Sequence, residues 1–562
     1  MLRSLVIRAA SPLRNCRIRR DPDNVIGSAA LRSTLTALVV ALAGIAFATP
    51  AGAATPHVLT WADGLDVSSL NPFIATTGNI VPLGELTMAE FVRFDAKGNP
   101  IPELVTVIPT KANGGISADG KTITWHLRHG VRWSDGAPFD ARDVTYTVRV
   151  ASDPANNIGV RDPWTRLSAV TAPDAFTVVM RFKQPYALFL QDYFSTQSSG
   201  CILPMHVLGP GTNINAAPYN AKPVGIGPFR FTAYLRGDRV EMEANPYYWR
   251  GKPKLQKIVY KIVTDVNTLL TQLQTGELDL GDTLEGTVAQ RAKLIPGERT
   301  SVRPSPFMAG VFFNMKGAAT RDRAVRHALS LATDRVAILA KTSLGIGVLT
   351  ESVVPQTSVD YLPLPVTPYD LTAAAKMLDA AGWKRGANGM RGKGNVPLTV
   401  DFAIPAGYAP SQAVANIIHD DWGQIGVAVT IHTWSDAQFF APYAEGGALQ
   451  TGKFDTANFA QSLGPISAGI NGVYDCASIP PNGFNVYRYC NHTVDALNDR
   501  YLQSFDPAAR KRTAAAMQRA IAADLPGIVL YERLFLAAYT NKLTGYHPNA
   551  YSYWGDPLDL DI

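Results

Sequence analysis

Long apolar runs are missing from most of this 562-residue chain, and its mean hydropathy is only +0.01. A polytopic membrane protein is thereby excluded, since each span needs about 20 apolar residues. Recognisable catalytic motifs are missing as well. There is no GxSxG elbow, no HExxH and no CxxC. Gly225-Ile226-Gly227 runs straight into Pro228 and Phe229, so it reads as a turn into a strand, not a dinucleotide loop. His126 and His129 sit three apart on a strand-turn segment, where that spacing does not align two metal ligands. Internal repeats, low-complexity linkers and charge blocks are also lacking. What is present is a 46% apolar composition, ample for a large core. The length fits three to four structural units at about 150 residues each.

The formal charge of +6 needs locating before it means anything. Residues 1–53 hold seven arginines against Asp21 and Asp23, so they account for five of the six charges. All seven lie within residues 1–32, and an uncharged run follows them, Ser33 to Ala54, with its apolar core at Leu35 to Ala48. A basic start, an apolar core and small residues at Ala51-Gly52-Ala53 make a secretory signal peptide over 1–53. The rival, a membrane anchor, has a core of 14 residues, short of a span. Arg19-Arg20 offers a twin-arginine alternative, and translation starting near Val25 or Leu31 would shorten the leader. Beyond it the basic residues are dispersed, so nucleic acid is not an expected partner.

Export implies an oxidising compartment, which bears on the cysteines. Cys476 and Cys490 flank CASIPPNGFNVYRYC, a Pro/Gly-containing segment able to turn back on itself. A disulfide is expected there, stabilising by roughly 3 kcal/mol in the loop-entropy model. No metal site is expected, because no CxxC or HxxxH lies nearby. Cys201 reads as a buried free thiol.

Strands are predicted at His57–Ala62, Phe176–Phe182, Lys257–Val263, Val396–Ile404, Val427–His432 and Gly527–Tyr531. Hairpins are predicted at 229–234 with 240–244, and at 123–127 with 131–133. Helices are predicted at 82–94, 139–152 (Asp140 as cap), 265–276, 321–340, 372–382, 410–425 and 507–524. Alternation of the two kinds gives an α/β or α+β class.

Several segments, in order along the chain, resemble the solute-binding proteins of ABC importers, in the peptide/nickel-binding family 5. The most specific is Ala118-Asp-Gly-Lys-Thr-Ile-Thr-Trp-His-Leu-Arg128, continuing as His129-Gly-Val-Arg-Trp-Ser-Asp-Gly136 and Ala137-Pro-Phe-Asp-Ala-Arg-Asp-Val144. Ser69-Leu-Asn-Pro72, Val224-Gly-Ile-Gly-Pro-Phe229, Asn245-Pro-Tyr-Tyr-Trp249, Gly276-Glu-Leu-Asp-Leu280 and Ala332-Thr-Asp-Arg335 support it. Most of these residues read as structural. Trp125, Trp133 and Phe139 suit a core, Gly136, Gly227 and Gly382 suit positive φ, and Asp334-Arg335 suits a helix end.

The resemblance implies an α/β, two-lobed periplasmic-binding-protein-like fold (type II, large cluster C type) with an extra sub-domain in lobe I. Lobe I would span 55–311 with the sub-domain near 87–220, lobe II 312–532, and 533–562 would return to lobe I. It implies a monomer that binds a peptide or small solute between the lobes and delivers it to ABC permease membrane subunits from the periplasm. No catalytic residue, enzyme activity or cofactor is implied. The matching ligand segments are Thr76, Thr77 and Gly78, and Phe459, Ala460, Gln461 and Ser462. Gln461 and Gly464 stand where peptide binders of the family usually carry a Trp and an amine-pairing Asp. Asp436 or Glu445 could replace that charge, and Trp434 could stack on ligand. The departure gives weight to sugars, opines and metal chelates beside peptides. An exported hydrolase with dispersed carboxylates, and a receptor-accessory or chaperone use of the fold, are the alternative readings.

Overall fold

In the computed structural model, which describes residues 57–562 apart from 76–77, 159–160, 196–200, 212, 463–469 and 471, one ten-stranded sheet organises the chain. Its strands are β1 (Val58–Ala62), β2 (Phe229–Leu235), β3 (Arg239–Ala244), β4 (Lys257–Lys261), β5 (Leu280–Leu284), β6 (Glu298–Phe313), β7 (Thr399–Pro405), β8 (Ala428–Trp434), β9 (Thr456–Ser462) and β10 (Gly527–Thr540). Across the sheet they lie in the order β8-β7-β9-β6-β10-β5-β1-β4-β3-β2. The expected leader lies outside the described residues. No helix among them is long and apolar enough to cross a membrane.

The two long central strands, β6 and β10, are antiparallel partners that link the sheet's halves. Their register breaks between Pro304 and Met308, opposite Glu532 to Leu534. Proline cannot donate to a ladder, so Pro304 and Pro306 sit where the ladder is interrupted. Beyond the break, successive residues of β6 face opposite sides of the sheet. Val311 and Phe313 enter one core with Phe402, Trp422 and Leu530, and Phe312 enters the other beside Phe459 and Tyr487. Burying each such side chain contributes roughly 1.5–3 kcal/mol.

β7 and β8 are parallel and joined by the helix Ala409–Gln424, which gives the expected strand-helix-strand unit. The hairpin β2–β3 also forms as expected. Asp140 caps Ala141–Ser152 with a reciprocal bond through Asp143. Trp125, Trp133 and Phe139 are buried in the same large core.

Several expectations are corrected in extent, pairing or backbone angle. The strand Thr122–His126 pairs with Thr177–Phe182, not with 131–133, because Gly130 and Gly136 turn the intervening chain away. The helix expected to reach residue 94 stops at Thr87, and Val92–Phe94 is a strand. The helix expected over 321–340 is two, Arg323–Leu331 and Arg335–Ser343. Asp334 caps the second by accepting from the Ala337 amide at 2.9 Å, while its own N–H donates to Asp421. The strand expected at 527–531 runs on to Thr540. Gly227 does not have positive φ, unlike Gly136 and Gly382. It is needed because a Cβ there would lie 2.5 Å from the Thr87 carbonyl carbon, where the Gly227 N–H meets the Thr87 oxygen at 3.0 Å.

Candidate functional site

β9 has one edge only partly used. It pairs along its length with β6, from Phe307 opposite Ser462 to Phe313 opposite Thr456. On its other side, β7 pairs only at Thr456 and Ala457. From Asn458 to Gln461 that edge has no strand partner among the described residues. Unpaired backbone N–H and C=O groups on an edge are ready to bond another extended chain.

A cavity of about 290 Å³ opens beside this edge. Asn458, Phe459 and Ala460 line it with Tyr408, Asp436, Phe440 and Arg533. The short helix beginning at Asp436, capped by Ser435, presents Asp436 and Phe440 at the rim. Both are exposed.

Of the residues singled out from sequence, the cavity brings together Asp436, Phe459 and Ala460. Gln461 is buried, and its Oε1 accepts from the Tyr474 hydroxyl at 3.3 Å. Beneath β9, Phe459 stacks on Tyr487, which stacks on Tyr474. Trp434 is half-buried against the large core, with its Nε1 enclosed and unbonded, and Lys453 Nζ lies 5.8 Å from its ring centre. Ser462 stands opposite Phe307 in the ladder. Gly78 is exposed in the turn before the helix Ile80–Thr87, while Thr76, Thr77 and Gly464 lie outside the described residues.

Sequence reasoning missed the charged centre. Arg533 on β10 meets Glu285, which follows β5, at 3.2 Å, and also donates to the Tyr408 hydroxyl. Burial pushes the Glu285 carboxyl up, and the guanidinium opposes that shift. Although burial works against its charge, Glu285 and Tyr408 hold Arg533 above its ordinary value. Arg533 and Tyr408 are 125 residues apart, and no local pattern signals the meeting. The cavity thus offers a cation on one wall, a carboxylate on its rim, aromatic surface, and a backbone edge.

A second, smaller cavity of about 30 Å³ lies among Glu85, Glu90, Glu103, Arg93 and Arg250. Glu103 binds Arg93 at 2.7 Å and accepts from Tyr248 at 3.0 Å, and Glu85 accepts from Ser552 and the Tyr553 amide. Burial, then the neighbouring Glu103 and Glu85, push Glu90 up to about 8. This space is on the scale of a water molecule, not a solute.

Cys476 and Cys490 are joined by a disulfide, and Cys201 is a buried free thiol. The bridge closes the segment that carries Tyr487 and Tyr489, and so supports the aromatic layer under β9.

Comparison with known proteins places this geometry. The profile of bacterial extracellular solute-binding proteins, family 5 (middle), matches residues 100–471. Protein XP55 of Streptomyces lividans is 31% identical over 441 residues, covering 76% of this chain and 74% of that protein. The glutathione-binding protein GsiB of Pectobacterium atrosepticum is 28% identical over 448 residues, covering 77% and 81%. The solved oligopeptide-binding protein AppA of Bacillus subtilis, in complex with a nonapeptide, superposes with a TM-score of 0.75 at 21% identity. That match covers 90% of this chain and 100% of AppA and reports a shared two-lobed fold.

Proposed function

The chain belongs to family 5 of the bacterial extracellular solute-binding proteins, and from that premise we propose that it captures a peptide, or a peptide-like solute, for an ABC importer. The open edge of β9 beside the 290 Å³ cavity carries this reading. An extended ligand added there gains main-chain hydrogen bonds whatever its side chains are. Arg533 and Asp436 supply opposite charges for a zwitterion, while Gly464 stands where the family's usual amine-pairing Asp would be. Asp436 takes the ammonium in this reading and Arg533 the carboxylate. Phe459 and Ala460 offer backbone, Ser462 extends the edge, and Trp434 and Gln461 support the wall and floor. Gly78 is proposed to belong to the facing lobe.

The resemblance sets the lobe boundaries at 311/312 and 532/533; the lobes are proposed instead to meet at the register break, with crossings at Pro304–Met308 and at Glu532–Leu534, so that 308–311 joins lobe II. Both crossings are short interruptions of continuous strands, suited to a hinge that absorbs a change in φ and ψ. The leader over 1–53 would direct the monomer to the periplasm, where a closed, loaded form docks on permease subunits. Names of the relatives, a glutathione-binding and an oligopeptide-binding protein, favour peptides over sugars. Hydrogen exchange with and without a mixed short-peptide pool tests the reading. Protection is expected at Asn458 to Ser462. Binding that leaves those amides unprotected rejects strand addition.

A further inference from the structure

We propose that the Cys476–Cys490 pair, once reduced, forms with His492 a binding site for a thiophilic divalent cation such as Zn²⁺. Sequence spacing hides this site, since the histidine follows Cys490 by two residues in no familiar motif. The fold brings the three groups together. One ligand atom from each of Cys476, Cys490 and His492 lies within 4.8 Å of the others. His492 Nδ1 stands 3.8 Å from Cys476 Sγ. Asp495 lies one helical turn on, its Oδ2 3.4 Å from the same ring nitrogen, and leaves the fourth position to itself or to water. Two thiolates and an imidazole suit a borderline-soft cation in tetrahedral geometry.

The site is accessible, and its backbone is held independently of the disulfide. Cys490 and His492 are exposed. Tyr489 and Asn491, on either side of Cys490, both donate to Asp524 Oδ2, at 2.8 and 2.7 Å. The Cys476 amide donates to Asp495 Oδ1 at 3.2 Å. Breaking the S–S bond removes none of these contacts, so the two thiols stay within reach of one cation. In the oxidised chain neither sulfur can become a thiolate, so metal binding is gated by redox state. A phosphine or dithiol reductant, itself oxidised by two electrons, supplies two electrons to the pair, which takes up two protons, and the cation then displaces those two protons.

Purified protein is reduced with a phosphine, which takes its oxygen from water as the disulfide gains two electrons and two protons. It is then titrated with Zn²⁺ alone, with Cys201→Ser as background to remove the buried thiol. The reduced chain is expected to stay folded by circular dichroism and to bind one zinc ion. Two thiols should be shielded from alkylation, and a melting temperature raised by zinc should be seen only after reduction. His492→Ala should weaken binding roughly tenfold or more, and Cys490→Ser should weaken it further. Equal zinc binding by the oxidised and reduced chains overturns the proposal. So does full affinity in His492→Ala, or a reduced chain that unfolds and is not restored by zinc.

Discussion

Glu90 is buried beside two other carboxylates, Glu103 and Glu85. Its folded carboxyl holds a proton up to about pH 8, whereas the ordinary carboxyl gives it up near 4.5. The stabilisation is therefore complete below the unfolded value and is lost as pH rises through the folded one, on the order of a few kcal/mol. Asp63 and Glu85, both raised to about 7, act in the same direction. Thermal melts from pH 5 to 9 are expected to fall steadily for the wild type and less steeply for Glu90→Gln. Identical slopes would place the proton elsewhere. Arg533 presents a different case, because it joins the cavity while paired to Glu285. Arg533→Gln should weaken solute binding about tenfold or more. It also strands a buried acid, so Glu285→Gln/Arg533→Gln separates the two effects. Calorimetry should find the double variant refolded but still weak. Recovery of affinity in the double variant would show that Arg533 merely neutralises Glu285. These roles were not legible in the chain, since each residue gains its meaning from a partner far away in sequence. The motif residues Trp125, Trp133 and Asp140 were legible because their roles are set locally, by apolar character or by helix capping.

Among elements, what sequence pattern revealed followed the range of the forces involved. Hairpin β2–β3 and the helices at 141–152 and 409–424 announce themselves through short-range periodicity and caps. β6 did not, because two prolines interrupt ERTSVRPSPFMAGVFF and only pairing with β9 and β10 extends it. The break at 332–334 was equally hidden. Its apolar spacing continues a helix, but the Thr333 hydroxyl receives a bond from Trp422 at 3.1 Å and Asp334 begins a new helix. Asp334→Ala is therefore expected to cost about 1 kcal/mol in urea unfolding, through lost capping of Arg335–Ser343. A cost near zero would mean that Arg335, bonded to the Val529 carbonyl and Glu351, holds the junction alone.

At the scale of the whole molecule, β6 and β10 make the halves of one sheet continuous, and their ladder is interrupted between Pro304 and Met308. The open edge of β9 lies on one side of it, and the Glu285–Arg533 pair spans β5 and β10 beside the cavity. Ligand that bonds both sides favours the arrangement in which they approach, and shifts the population by its difference in affinity for the two states. The family resemblance made the two-lobed fold legible from sequence, whereas the shared motifs are core and turn residues and say little of the ligand. The most direct test of the central claim is small-angle X-ray scattering of the purified protein during titration with a short-peptide library. A saturable fall in radius of gyration is expected with at least one peptide pool, abolished by Arg533→Gln at the same concentrations. An unchanged radius across every pool, with peptide demonstrably bound, would contradict it.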